Sequence, residues 1–424
     1  MPRVSIVIPT RNRAHLLRIA LKSALRQTWQ DLEVLVSDNY CGNEETRIVY
    51  ESFQDPRLRY VRTDRLLAMP DSWEFALSHA QGEFVTFLTD DSYLLPFALE
   101  RAMNAVEQLG ADLVAWNSCA YFSSDWLQPF RRNLLYVGKP PYGTLLLSSQ
   151  KVLRELFDLD SPIHAPKFLN SICHQRLVAK VLQVQGRMFL PPCPDYSAAA
   201  SLLVNTDKYV YVGWPLGIDG GTPRSIGYAA TLKNIEAFQE FLAEFEDPES
   251  FRQLIDLDLA TIPVLTAQTL ENVRRRFYSE RIPFAVNKRN MLCQSIESVA
   301  TFERNGANAA EEWRILEEFM ARQPEDIRRA GVVQRRRSKA RSLLLSPLAR
   351  MIRALPGWDY LERLRGQYIF RGDRHSFHNM EECAEVAPRL IATVADLKPN
   401  GAGKAPGKRR STKDPSRTGN TSSQ

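Results

Sequence analysis

An apolar, β-rich run that leads straight into two adjacent carboxylates constrains this chain more than any other stretch. It reads Gly82-Glu83-Phe84-Val85-Thr86-Phe87-Leu88-Thr89-Asp90-Asp91-Ser92-Tyr93-Leu94-Leu95-Pro96. Residues 84–88 have the length and composition of a buried strand in an α/β sheet, and Pro96 stands where a helix can begin. Open α/β sheets bind ligands beyond the carboxyl ends of their strands, which puts Asp90 and Asp91 at the mouth of a site. Neighbouring carboxylates repel unless a cation lies between them and an anionic ligand. The plainer reading is that Asp90, Asp91 and Ser92 cap a helix.

The flanking sequence repeats the alternation. Residues 4–9 form a buried-strand pattern ending at Pro9, residues 10–13 a polar turn, and residues 14–27 an amphipathic helix. A second strand over 32–37 closes in Asp38-Asn39-Tyr40-Cys41-Gly42, a run of turn formers. A helix over 44–53 and a short strand over 58–61 follow. Asp71-Ser72-Trp73-Glu74 has the pattern of a capping box opening a helix to Ala80. Beyond the acid pair come a helix over 96–109 and a strand over 111–116. Strands separated by helices require right-handed crossovers and a mostly parallel sheet flanked by helices. The class is α/β.

Residues 121–144 loosen into an aromatic, proline-containing region; helical character returns over 148–157 and 170–184. Phe189-Leu190-Pro191-Pro192-Cys193-Pro194-Asp195-Tyr196 then presents another acid behind a proline-stiffened approach, either as a helix N-cap or toward a ligand. A strand over 209–212 precedes Gly220-Gly221-Thr222-Pro223-Arg224-Ser225, a flexible and partly basic loop. These patterns divide the chain into a body over 1–230, a helical extension over 231–330, a basic amphipathic or helical segment over 331–397, and a tail over 398–424. The tail is rich in Gly, Ser, Thr, Pro and basic residues and is expected to be disordered. In the basic segment, residues 334–341 precede Leu343-Leu344-Leu345, Leu348, Met351, Ile352 and Leu355, with Arg350 and Arg353 interleaved. A helix of this kind lies on anionic lipid, or packs on the body with a solvated basic face.

Composition excludes several classes. Hydrophobic residues at 44% and charged residues at 25% are ordinary for a soluble globular protein. Much of the +6 net charge lies after Arg328, in a stretch without interleaved aromatics, so no nucleic-acid partner is expected. Six scattered cysteines without a CxxC pair argue against a zinc site or a disulfide framework and suit a reducing cytoplasm. A strand beginning at Val4 leaves no room for a signal peptide, and no apolar run approaches the ~20 residues that span a bilayer. The expected location is the cytoplasm, with the inner membrane face as an open peripheral site. His164 and His174 are left as structural residues or ligand contacts. His375 and His378 lack the partners zinc needs, and Trp73 reads as core.

Three strand ends, Pro9-Thr10-Arg11, Asp38 and Asp90-Asp91, gather on one edge of a parallel sheet. A nucleotide diphosphate needs such a set: an acceptor for the base, a group for the ribose and a cation for the pyrophosphate. GxGxxG after the first strand and GxxxxGK[ST] are both missing, so dinucleotide and P-loop readings lack their defining feature. In this order the chain resembles the family 2 glycosyltransferases, whose nucleotide-diphospho-sugar transferase fold is called GT-A. The resemblance runs from about Val4 to Met103 and more weakly to Gly227. It rests on Val4-Ser5-Ile6-Val7-Ile8-Pro9-Thr10-Arg11-Asn12-Arg13, Gln27-Thr28-Trp29 with residues 32–38, and residues 80–92.

The resemblance implies that Asp38 accepts from the base, that Pro9, Thr10, Arg11 and Arg13 line the nucleotide pocket, and that Asp90 faces the ribose or positions the metal. Asp91 would bind Mn²⁺ or Mg²⁺ on the diphosphate, and Asp195 stands where the family has its catalytic base. Arg224 either reaches the diphosphate or is solvated. Two departures stand out: Thr89 and Ser92 occupy positions where acids are usual, and Pro194-Asp195 replaces a Glu-Asp pair. The chemistry fits the residue types on its own terms. A cation on Asp91 stabilises the leaving diphosphate, and a carboxylate can take the proton of an attacking hydroxyl. The expected activity is inverting, metal-assisted transfer from a nucleotide-diphospho-sugar to a glycan, polysaccharide or lipid-linked hydroxyl. The alternative is a catalytically degenerate sugar-nucleotide-binding protein on the same fold.

Overall fold

Four apolar runs near the N-terminus fold as expected: β1 (Val4–Thr10), β2 (Leu32–Asp38), β3 (Leu58–Arg62) and β4 (Phe84–Phe87), separated by α1 (Ala14–Leu25), α2 (Glu45–Glu51) and α3 (Met69–Ser78). The computed structural model describes residues 1–396 except 43, 127, 129–130, 139–142, 161–162, 224, 226–240, 242, 248 and 345–367. The expected tail over 398–424, Arg224 and the leucine-rich residues 345–355 therefore lie outside the described residues. The chain continues through β5 (Tyr93–Leu94), α4 (Ala98–Leu109), β6 (Leu113–Phe122), β7 (Leu134–Val137), β8 (Thr144–Ser148), α5 (Ser149–Phe157), β9 (Ser171–His174), α6 (Gln175–Gln185), α7 (Pro194–Val204), β10 (Lys208–Gly221) and β11 (Tyr368–Arg371).

One mixed sheet runs β11-β7-β6-β9-β4-β1-β2-β3, with β10 paired to β5, β6 and β8. The β3-β2-β1-β4 half is parallel, as is the β6–β10 pair. Side chains along β1 alternate between two cores, as the two-residue period of a strand requires. Val7 faces Leu35, Val85, Phe87 and Trp73 on one side, while Val4, Ile6 and Ile8 face Leu17, Leu21, Leu99 and Met103 on the other. Helices cover both faces, which makes the body a three-layer α/β structure.

Three sequence expectations shift. The helix before β4 begins at Met69 with Pro70 in its first turn, and Asp71 and Glu74 are spent elsewhere. Asp71 accepts from Arg187 at 2.6 Å, and Glu74 accepts from the Met188 and Phe189 amides. Residues 171–174, read as the start of a helix, form β9, antiparallel between β4 and β6. Cys173, Leu177 and Val181 sit at helical spacing, and only the tertiary slot between the two strands decides otherwise. The 220–225 loop begins inside β10, whose last pairs are Gly220 and Gly221 with Tyr121 and Phe122.

Gly82 shows how tightly β4 is docked. Its amide donates to Ser5 Oγ at 2.7 Å, and a Cβ there would lie 2.5 Å from the Ser5 nitrogen and 2.7 Å from the Val4 carbonyl carbon. Both are backbone atoms locked in β1. Gly82→Ala should therefore destabilise the protein by roughly 1–3 kcal/mol, as overpacking does, read as a lower urea midpoint at unchanged slope.

Beyond residue 249 the described chain is mainly helical, as expected. Helices Ile262–Phe277, Lys288–Arg304 and Ala310–Ala321 extend the core of α5 and α7 through Val264, Leu270, Ile296 and Phe319. The end of the chain then returns to the sheet. β11 pairs antiparallel with β7, and helix Met380–Asp396 buries Cys383, Ala387 and Ile391 beside them, with Lys22 bridging to Glu381 at 2.9 Å. Among the described residues no helix is long and apolar enough to cross a membrane.

Candidate active site

The carboxyl ends of β1 and β4 meet at the acid pair. Leu88 N–H donates to the Val7 carbonyl at 2.9 Å, and the turn after it is closed by Ser92 N–H to Thr89 O at 3.0 Å and by the Thr89 and Ser92 hydroxyls at 2.7 Å. Thr89 and Ser92, the two departures from an acidic motif, thus bind each other and shape the turn that presents Asp90 and Asp91. Asp90 is buried; it accepts from Thr10 Oγ1 at 2.8 Å and from Arg13 at 3.2 Å. Asp91 accepts from Ser225 Oγ at 2.7 Å and lies 3.7 Å from Arg13. Burial raises the proton affinity of Asp90, Arg13 opposes that shift, and Asp91 reinforces it. Gly220 is required here, because a Cβ on it would fall 1.7 Å from the Asp91 carbonyl oxygen.

A cavity of about 1130 Å³ opens from this edge. Pro9, Thr10, Arg11, Arg13, Asp90 and Asp91 line one wall, and Asp195 lines another. Asp195 sits in the first turn of α7, after Pro194. The cavity is completed by Ile262 and Leu265 from the helical extension and by Phe241 and Glu244. Trp73 packs on Phe87 and Phe189 as core and also reaches the wall. Arg11 is held by an ion pair to Glu244.

Asp38 stands behind the wall. It is buried, accepting from Cys41 N–H at 2.8 Å and from Tyr60 OH at 2.7 Å, while its neighbour Asn39 lines the cavity. Burial and the Asp38 carboxylate keep the Tyr60 hydroxyl protonated. His174 caps α6, accepting from Arg176 N–H at 3.0 Å, and His164 packs edge-on to Tyr211. Both histidines are accounted for by these contacts.

Two charged groups in the cavity escaped the sequence reading. Asp219, near the end of β10, opens to the cavity; burial pushes its pKa up to about 6, aided by Asp91 and opposed by Lys167 and the Ser118 hydroxyl. An acid ending a strand just before two glycines is the signal that could have found it, as it did for Asp38. Lys167 stands 3.9 Å from Asp195 and 3.9 Å from the centre of the Tyr196 ring. Nothing in Ala165-Pro166-Lys167-Phe168 announces it. Burial raises the proton affinity of Asp195, while Lys167 lowers it.

Among the described residues no group of three His, Cys, Asp or Glu side chains is placed to hold a metal ion by itself. The donor set still suits a hard cation that arrives with a diphosphate. Mg²⁺ and Mn²⁺ take one or two carboxylates and complete their shells with phosphate oxygens and water, and Asp91 with Asp219 nearby supplies such carboxylates.

The Glycosyl transferase family 2 profile matches residues 5–159. The chain is 38% identical over 111 residues to a GalNAc(5)-diNAcBac-PP-undecaprenol beta-1,3-glucosyltransferase of Campylobacter jejuni, covering 26% of this chain and 36% of that protein. It is 30% identical over 97 residues to a UDP-Glc:alpha-D-GlcNAc-diphosphoundecaprenol beta-1,3-glucosyltransferase of Escherichia coli, covering 23% and 38%. The matches thus span little more than a third of either relative. A solved structure of S. aureus TarS 1-349 with UDP-GlcNAc aligns at a TM-score of 0.43 and 15% identity, over 80% of this chain and 90% of that one. The match to glycosyl transferase family 2 thus lies in residues 5–159, which supply β1 to β4 and the acid pair.

Proposed function

We propose that this protein transfers a sugar from a nucleotide-diphosphate donor to a hydroxyl of a lipid-linked or other glycan acceptor, with inversion at the anomeric carbon. The observation that carries this reading is the shared cavity: Asp90-Asp91 at a strand end and Asp195 at a helix start face one space large enough for two substrates. Pro9, Thr10, Arg11 and Arg13 hold the nucleotide, and Asp38 supports the base side through the turn it organises. Arg224, outside the described residues, is proposed from the sequence to reach the diphosphate. Asp91 holds a Mn²⁺ or Mg²⁺ ion, which when bound supplies charge stabilisation to the leaving diphosphate. Asp195 takes the proton of the acceptor hydroxyl as it attacks from the opposite side.

Both relatives are named for undecaprenol-linked sugars, which supports a lipid-linked acceptor and work at the inner face of the membrane. Helix Glu325–Leu344 exposes Val332 and Val333 beside Arg336, Arg337 and Lys339, a mixture suited to anionic lipid.

The test is calorimetric titration with UDP-, GDP- and dTDP-sugars, with and without Mn²⁺ or Mg²⁺, followed by incubation with undecaprenol-linked acceptors. The expected result is metal-dependent tightening for one donor and a product whose anomeric configuration, read by NMR, is inverted. Donor binding without transfer to any acceptor would move the assignment to a sugar-nucleotide-binding protein, and no binding to any donor would sink both readings.

A further inference from the structure

Lys167 is a flexible, strongly hydrated cation set into a cavity wall, where both its desolvation and its ordering cost free energy. The backbone around it is fixed. Its N–H donates to Asn170 Oδ1 at 2.9 Å, and Phe168, buried with φ of 64°, turns the chain. Phe168 N–H donates to Ser171 Oγ at 3.0 Å, and its carbonyl accepts from Phe87 N–H at 3.1 Å. Lys167 is thereby tied to β4, the strand that delivers Asp90 and Asp91. At its far end the ammonium lies 3.9 Å from Asp195 Oδ2 and 3.9 Å over the Tyr196 ring, a cation–π distance. The loop thus links the donor-side strand to the acceptor-side carboxylate.

We propose that Lys167 is a positioning residue for Asp195: clamped between the carboxylate and the Tyr196 ring, its ammonium engages Oδ2, leaves Oδ1 for the acceptor hydroxyl, and keeps the group in its proton-accepting form. The catalytic consequence rests on Asp195 being the base; the electrostatic pairing does not. The groups that bear on the pair are Cys193 and Tyr196 from the α7 side and Asp219 from β10. Burial pushes the Asp195 pKa up and the ammonium pulls it down, so removing the ammonium raises it. A base works above its pKa, and the acidic limb of kcat therefore moves to higher pH.

The experiment uses the full chain with Lys167→Met, Lys167→Gln and Lys167→Arg. The Asp195 carboxyl band is identified by infrared difference against Asp195→Asn in each background and titrated. Loss of a cation at this distance moves a carboxylate pKa by about one to three pH units. That upward move is expected in the Met and Gln variants, with recovery in Arg, together with the same displacement of the acidic limb of kcat. No movement of the infrared titration in either neutral variant overturns the proposal, as does a raised donor KM with the acidic limb in place, which would assign Lys167 to the diphosphate. An infrared shift without a kinetic one keeps the pairing and removes Asp195 from the role of base.

Discussion

Asp195→Asn is expected to lower kcat by about 10²–10⁴-fold, the usual worth of a general base, while donor affinity stays at its wild-type value. The substitution preserves shape at the start of α7 and removes the negative charge, and with it both the proton acceptor and the ionic partner of Lys167. Asp195 lines the cavity but takes no part in the Thr10–Asp90 and Arg13–Asp90 contacts, which the proposed function assigns to the donor. Single-turnover rates and donor titrations separate the two effects. Full activity in Asp195→Asn would pass the role of base to Asp219, which lines the same cavity with a pKa pushed up to about 6. Asp219→Asn is therefore the paired measurement.

Asp91→Ala should abolish the metal-dependent part of donor binding and lower kcat by more than about 10²-fold, since a cation on a leaving diphosphate supplies several kcal/mol and each 1.36 kcal/mol is tenfold. Two functions meet at this carboxylate, and Asp91→Asn parts them. Asn can still accept from Ser225, which donates to Asp91 Oδ2 at 2.7 Å and holds the 220–225 loop against the acid pair. It cannot offer the negative charge. Equal loss in Ala and Asn, measured by calorimetry with and without Mn²⁺, would assign the effect to charge. A largely active Asn variant would assign it to the loop contact and count against a metal at Asp91.

The parallel half of the fold was legible because each strand there is an apolar run bounded by turn formers, and each strand end carries its own acid or proline. Asp90, Asp91 and Thr10 could be named for the same reason: local spacing puts them at a strand end, and the sheet does the rest; Arg13, just past β1, was named only through the family resemblance. β9 and β5 were not legible. Four residues and two residues are too short to show a period; β9 exists because β4 and β6 leave a slot, and β5 because β10 returns beside it. Lys167 is hidden more deeply, since its role depends on a loop geometry set by Phe168, Asn170 and Ser171 and on a helix that starts far along the chain. The basic character of the segment over 331–397 gave no sign of what its last residues do. Residues 368–396 carry a strand and an apolar helix face that belong to the main sheet.

That last return to the sheet bears on how the molecule comes into being. β7 finds its outer partner only about 230 residues further along, in β11, a separation that makes the pairing slow to close. On the ribosome, β1 to β4 and the acid pair can assemble while most of the chain is still being made. The edge of β7 stays open until β11 has emerged, exposed to any other strand that can pair with it. The step most vulnerable to aggregation is thus the late closure of β7 by β11, far along the chain from the acid pair.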